Sequence, residues 1–214
     1  LVALGAGALV LLVTGERLQR LYAVLVIAVL FAGGYGLGFI NWTQPVGNKL
    51  FVSLIQANIP QSEKWLPEFR NEHIQKHIDL MEPRMTSSDI IIWPETAIFD
   101  SFQQSMDDVV KPLQESFKTA ETDLLMGGFQ YDQATNSMYN AIMSARDLDV
   151  YGKRHLVPFS EYTPFLEYLR WLDNFIMLPY ENVAAWKGNV NLQEAGQPMR
   201  MSVCYEDAYG EEMI

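Results

Sequence analysis

The chain has 214 residues, of which 49% are hydrophobic, and it carries a formal net charge of −11. Residues 1–40 contain only Glu16, Arg17 and Arg20 as charged residues, which leaves 13 basic and 25 acidic residues, a net charge of −12, in residues 41–214. An acidic domain of this kind repels nucleic acid, because nucleic-acid binding depends on neutralising phosphates. The single cysteine excludes an internal disulfide and a cysteine-cluster metal site.

The N-terminal residues are predicted to lie in a membrane. Residues 21–40 are apolar and uncharged, and a helix of this length crosses a hydrocarbon core of about 30 Å. Residues 1–13 are interpreted as the end of a preceding transmembrane span. The linking residues 14–20 contain two arginines, so the positive-inside rule places them in the cytoplasm. Residues 41–214 then form an extracytoplasmic, periplasmic domain that is incomplete at its C terminus. The alternative for residues 21–40 is a buried helix of a soluble protein.

Strand and helix patterns alternate along the rest of the chain. Short apolar runs predict strands at 51–56, 89–93, 124–131, 137–145 and 199–204. Helical spacing and helix-end signals predict helices at 67–85, at 107–120 and from 206 onward. A hairpin turn is expected at 147–152, and 155–191 is expected to be mainly loop with a short helix near 164–172. This alternation indicates an α/β layered domain.

Three side chains are suited to acyl-transfer chemistry. Glu95 follows a predicted strand at the edge where α/β sheets bind ligands, among apolar neighbours that favour a raised pKa and a general-base role. Lys153 follows the predicted turn and is a candidate for stabilising an oxyanion. Cys204 lies between a predicted strand and helix, where a nucleophile projects from a sharp turn. The alternatives are a solvated or capping carboxylate, a surface lysine and an inert buried cysteine.

Four further residues have possible roles. Glu161 is close enough in sequence to orient Lys153. His73 and His77 have the spacing of metal ligands on a helix, but the residues between them lack the glutamate of a zinc-binding helix, and no metal site is predicted. His155 is expected to be structural.

Taken together, these motifs resemble a known superfamily. Trp93-Pro94-Glu95, residues 152–161 (GKRHLVPFSE) and Cys204-Tyr205-Glu206 resemble the nitrilase superfamily, which uses a Glu–Lys–Cys triad on an αββα sandwich. Within it, the preceding span and residues 56–65 (QANIPQSEKW) and 153–162 (KRHLVPFSEY) are similar to the bacterial apolipoprotein N-acyltransferase family. The resemblance implies an α/β fold of the αββα type, preceded by a transmembrane helix.

The resemblance also assigns roles to individual residues. It implies that Cys204 is the nucleophile, Glu95 the general base and Lys153 the oxyanion partner. It implies supporting or substrate-handling roles for four others: Glu161, Trp65, Tyr205 and Glu206. No metal or organic cofactor is implied.

The implied reaction moves a fatty acyl chain from a membrane phospholipid, through a cysteine thioester, to the α-amino group of a diacylglyceryl-lipoprotein, with ping-pong kinetics. The implied partners are the phospholipid donor, the lipoprotein acceptor and the lipid bilayer. The implied location is the bacterial inner membrane, with the catalytic domain on the periplasmic side. Two alternatives are a membrane-anchored amidase that uses water as acceptor and a non-catalytic interaction module.

Apolar side chains within residues 155–186 are candidates for a lid that enters the membrane, with core packing as the alternative. These side chains are Phe159, Phe165, Trp171, Phe175, Ile176, Met177, Leu178 and Trp186.

Overall fold

The computed structural model describes residues 1–165, 168 and 183–210. The chain divides into two compact units, Leu1–Asn48 and Lys49–Ile214. Most of the short helix predicted near 164–172 lies outside the described residues.

The N-terminal unit is a pair of packed helices, α1 (Val2–Thr14) and α2 (Arg17–Leu37). Small side chains allow close packing, and the residues buried in these helices are Ala8 and Ala23. α2 has 21 residues and is the one helix in the described part of the chain that is long and apolar enough to cross a membrane.

The link between the two helices is shorter than the predicted loop 14–20. Only Gly15 and Glu16 separate the helices, so Arg17 and Arg20 lie in the first turn of α2. Arg20 Nε donates a hydrogen bond to the Gly15 carbonyl at 2.8 Å, and Glu16 N donates to Gln19 Oε1 at 2.8 Å. These bonds satisfy backbone groups at the ends of both helices, which allows the tight turn.

The second unit is built on a five-stranded mixed sheet. Its strands, in both chain and spatial order, are β1 (Val52–Leu54), β2 (Ile90–Ile92), β3 (Asp123–Asp132), β4 (Ser137–Ser144) and β5 (Val150–Gly152). The first three are parallel, and β4 and β5 follow in antiparallel order. Four strands lie within or around the predicted runs. β5 occupies the end of the predicted turn 147–152, because Val150 and Tyr151 pair with β4 instead of turning.

Helices α3 (Arg70–Met81) and α4 (Lys111–Lys118) share one hydrophobic core with the sheet. Ile74 and Met81 of α3, and Leu113 and Phe117 of α4, are buried at helical spacing. A 3₁₀ turn at Glu82–Arg84 ends the first helix, as the proline there predicted. A π-helical turn, Met106–Val110, opens the second.

A second core lies between the sheet and a small hairpin of β6 (Asn191–Glu194) and β7 (Gln197–Arg200). Its buried side chains come from the large sheet, from the hairpin and from the segment after the hairpin. They are Ile90, Leu125, Tyr151, Leu192, Met201 and Val203. The described residues therefore form a helix layer, a sheet and a second, smaller sheet, which are three of the four layers of the predicted αββα sandwich.

The region before Cys204 departs from the prediction. The strand predicted at 199–204 ends at Arg200, and a 3₁₀ helix, Cys204–Ala208, begins at the cysteine rather than at residue 206. β6 was not predicted, because Leu192 is the only apolar residue in its four. Its stability comes from packing in the second core rather than from a sequence pattern.

Candidate active site

Glu95 lies just past the carboxyl end of β2, on a segment pressed against β3. A Cβ atom at Gly127 would lie 2.2 Å from the Pro94 carbonyl oxygen, so only glycine permits this approach. The backbone then turns at Thr96, whose φ is +50°. The turn points Glu95 outward and leaves it exposed, so the predicted poorly solvated environment is wrong.

The Glu95 side chain is held from below by Asn140 of β4, a residue that the sequence prediction missed. Asn140 Nδ2 donates to Glu95 Oε1 at 2.6 Å, and Asn140 is only 6% exposed. Its backbone carbonyl accepts a hydrogen bond from Lys153 N at 2.7 Å. One buried asparagine therefore links the segment that carries Glu95 to the segment that carries Lys153.

Lys153 is a buried cation, so the alternative of a surface lysine is wrong. Its side chain is 1% exposed, and Nζ donates to Glu161 Oε1 at 2.8 Å. Glu161 Oε2 accepts from Val157 N at 2.8 Å, which fixes the loop between the pair. A buried ammonium requires such a partner, because removing the charge from water without compensation is very costly. The carboxylate that the sequence placed near Lys153 is its ion-pair partner.

Cys204 is exposed, so the alternative of an inert buried thiol is wrong. Its φ is +54°, a left-handed conformation that is uncommon for a residue other than glycine. The residue stands at the start of the 3₁₀ helix, directly after the extended residue Val203. This arrangement presents the sulfur at a sharp turn, as expected for a nucleophile.

Glu206 joins the Cys204 turn to the Lys153 loop. This buried carboxylate is 4% exposed and accepts four hydrogen bonds. Oε2 accepts from Val203 N and from the Tyr151 hydroxyl, each at 2.8 Å. Oε1 accepts from Arg154 N at 2.7 Å and His155 N at 3.2 Å. Through Asn140 and Glu206, the segments that carry Glu95, Lys153 and Cys204 are connected by hydrogen bonds.

Several predicted substrate-handling residues expose aromatic surface. Trp65 is 48% exposed, with its ring centroid 6.4 Å from that of Phe129, and Tyr205 is 50% exposed. Of the candidate lid residues, Phe159 and Phe165 are well exposed.

Trp186 is the exception among the described lid candidates. Its ring packs so closely on Gly152 that a Cβ there would lie 2.8 Å away, and it meets Tyr139 edge-on at 5.2 Å. Trp186 N also donates to the Lys153 carbonyl at 2.8 Å. It is therefore a packing residue beneath the Lys153 loop, and its assignment to the lid is wrong. The remaining candidates lie outside the described residues: Trp171, Phe175, Ile176, Met177 and Leu178.

The histidines have structural surroundings. Burial lowers the pKa of His77, whose Nδ1 donates to the His73 carbonyl at 2.7 Å and whose ring lies 5.2 Å from that of Trp93. His73 and His77 line a cleft of about 190 Å³ beside residues 94–99, on the α3 side. His155 stacks on Tyr209 at 4.0 Å, in agreement with its predicted structural role.

The fold places the chain in a structural class. A CN-hydrolase superfamily protein from Xanthomonas campestris superposes with a TM-score of 0.51 over 76% of this chain and 56% of its own, at 17% identity. The predicted nitrilase-type fold is confirmed.

Sequence comparison then identifies closer relatives. Apolipoprotein N-acyltransferases from Methylococcus capsulatus and Nitrosomonas europaea are each 34% identical to the chain, over 93% and 85% of its length. The enzyme from Vibrio vulnificus is 33% identical over 100%. The chain spans about two fifths of these relatives' own length, between 37% and 43%. No protein-family model matches the chain. Over most of its length, the chain is a homologue of the apolipoprotein N-acyltransferases, and the predicted resemblance is confirmed.

Proposed function

We propose that this chain carries the catalytic centre of a membrane-bound N-acyltransferase that matures lipoproteins. One observation carries the proposal: Asn140 and Glu206 connect the segments bearing an exposed carboxylate, a buried paired ammonium and an exposed thiol. This is the set of groups that two-step covalent acyl transfer requires. The names of the curated relatives favour transfer to a lipoprotein over the alternative of an amidase that uses water.

In the first step, Glu95 takes the proton from Cys204 Sγ, and the thiolate attacks an ester carbonyl of a membrane phospholipid. Lys153 supplies a fixed positive charge for the tetrahedral oxyanion, and Glu161 holds that charge in place. The ester C–O bond then breaks. The lysophospholipid leaves with the proton from Glu95, and the acyl chain remains on Cys204 as a thioester.

In the second step, the α-amino group of an N-terminal diacylglyceryl-cysteine attacks the thioester. Glu95 accepts the amine proton, the C–S bond breaks, and the proton returns to Cys204. The product is an amide, and the thiol is regenerated. Because the donor leaves before the acceptor reacts, the kinetics are ping-pong.

The site is proposed to face the bilayer from the periplasmic side of the inner membrane. Arg17 and Arg20 at the start of α2 favour a cytoplasmic location for that end of the helix. Both substrates carry acyl chains, and each buried CH₂ adds about 0.8 kcal/mol to membrane binding, so they react without leaving the bilayer. The exposed rings of Phe159 and Phe165 are suited to contact lipid.

The acceptor decides between this function and the alternative. Full-length protein in detergent would be incubated with phosphatidylethanolamine, with and without a diacylglyceryl-cysteine peptide. We expect acyl-peptide as the main product and little free fatty acid. Release of the acyl chain mainly to water, at the same rate with or without the peptide, would favour the amidase.

A further inference from the structure

The Cys204 turn holds its nucleophile in an unfavourable backbone conformation. A non-glycine residue at a φ of +54° persists only where the surrounding structure overdetermines it. Within the turn itself, Val203 and Glu206 are linked twice: Glu206 N donates to the Val203 carbonyl at 3.2 Å, and Val203 N donates to Glu206 Oε2 at 2.8 Å. Both bonds depend on the position of Glu206, so the conformation of the turn depends on what holds the Glu206 carboxylate in place.

The Glu206 carboxylate connects this turn to the Lys153 loop and to β5. Both of its oxygens are occupied, one by Val203 N and the Tyr151 hydroxyl and the other by two backbone N–H groups of the Lys153 loop. Three of the four donors are backbone groups of the two loops being joined. The Tyr151 hydroxyl is the only one of the four that comes from a side chain.

Tyr151 is well placed to set the position of Glu206. It lies in β5, pairs with Ile142 of β4, and is 2% exposed in the second core. Its hydroxyl therefore has a fixed position relative to the sheet, whereas the two loops do not belong to any strand. A hydrogen bond from a rigid donor to a carboxylate is also stronger than one between neutral groups.

We propose that Tyr151 is a positioning residue of the acyl-transfer site, which acts through Glu206 to hold the Cys204 backbone in its left-handed conformation beside the Lys153 loop. This inference rests on the function proposed above and assigns the reaction a residue that contacts neither substrate nor nucleophile.

The test replaces Tyr151 by phenylalanine, which keeps the ring in the core and removes only the hydroxyl. Tyr131→Phe is the matched control, because the Tyr131 hydroxyl also bonds a side chain, Asn136 Oδ1 at 2.7 Å, but on an exposed turn outside the site. In full-length protein with phosphatidylethanolamine, we expect Tyr151→Phe to lower the kcat of thioester formation at least tenfold while KM changes less than twofold. Tyr131→Phe is expected to match the wild-type protein.

A double-mutant comparison tests whether Tyr151 acts through Glu206. In a protein that already carries Glu206→Gln, we expect Tyr151→Phe to lower the rate of thioester formation by less than a further twofold, because the two changes disrupt one interaction. A double variant whose rate loss equals the product of the two single losses would overturn the proposal. Wild-type kinetics in Tyr151→Phe would also overturn it. Failure of Tyr151→Phe to fold would make the hydroxyl a general structural element and would also overturn it. If the wild-type protein formed no thioester, the proposed function itself would fail, which is a distinct result.

Discussion

Two glutamates are buried in opposite surroundings: Glu206, between the Cys204 turn and the Lys153 loop, and Glu194, at the end of β6. Glu206 accepts four hydrogen bonds, two at each carboxylate oxygen, and these bonds compensate for its burial. Glu194 is 1% exposed, and within the part of the chain that the structure describes neither of its oxygens meets a donor in full hydrogen-bonding geometry.

The surroundings of Glu194 raise its pKa to about 7. Burial is the main cause, the carboxylates of Asp123 and Asp147 add to it, and Ser144 and Arg146 act in the opposite direction without offsetting it. The comparison shows that burial alone does not define the role of a carboxylate. At Glu194, burial with too few donors leaves a carboxyl group whose pKa lies near neutral pH.

The largest expected effect comes from the same substitution at the two glutamates. Glu206→Gln places an amide NH₂ against backbone N–H groups that need an acceptor. We expect thioester formation to fall about 100-fold, which corresponds to about 2.7 kcal/mol. Glu194→Gln is the matched control and should stay within twofold of the wild-type rate. Equal defects in the two variants would remove the distinction between the sites.

The second effect is on stability as a function of pH. Because the folded pKa of Glu194 is raised, the folded state keeps a proton that the unfolded state has lost between pH 4.5 and about 7. The free energy of unfolding therefore falls as pH rises through this window, by at most about 3 kcal/mol, and stays low above it. Glu194→Gln should remove this decline and melt at a higher temperature than the wild-type protein at pH 8, with little difference at pH 4.5. If the melting temperatures of the two proteins changed with pH in the same way, the raised pKa of Glu194 would be contradicted.

A smaller effect is expected at Asn140, where a single donor holds the exposed Glu95. Asn140→Ala removes that donor, and we expect about a tenfold loss in thioester formation, or about 1.4 kcal/mol. Asn71→Ala, on the exposed surface of α3, is the control. Thermal melting of both variants separates a local effect on Glu95 from general unfolding. An Asn140→Ala protein with the wild-type rate would show that Glu95 needs no support from β4.

The smallest effect should come from a pair that is neither buried nor connected to a network. Lys111 and Asp107 form an ion pair at 2.6 Å, but their side chains are 58% and 88% exposed. Asp107→Ala should change the free energy of unfolding by less than about 0.5 kcal/mol. Denaturant titration measures this, and a loss well above about 1 kcal/mol would contradict the expectation that exposed ion pairs contribute little to stability.

The sequence was most informative where a residue's neighbours in the chain determine its environment. The runs before Glu95 and around β3 and β4 have strand periodicity, and Pro83 marks the end of a helix. The three candidate triad residues each belong to a short motif, and the resemblance of these motifs is what proposes them as a triad.

The sequence was less informative where partners distant in the chain determine the structure. Glu95 was expected to be poorly solvated because its neighbours are apolar, but the turn against Gly127 points it outward. Asn140 gave one signal, a polar side chain within a predicted strand, and Tyr151 lay in a predicted turn. Their partners lie 45 and 55 residues away in the chain. Trp186 looked like a lid residue until its contact with Gly152 placed it beneath the loop.

The most direct test of this account is whether the acyl chain is carried on Cys204. Full-length protein would be incubated with phosphatidylethanolamine and analysed by intact mass spectrometry, followed by peptide mapping. The account predicts a fatty-acyl adduct on Cys204 that is absent from Cys204→Ala and is discharged by a diacylglyceryl-cysteine peptide. Transfer to the peptide with no adduct at Cys204, or an equal adduct in Cys204→Ala, would contradict it.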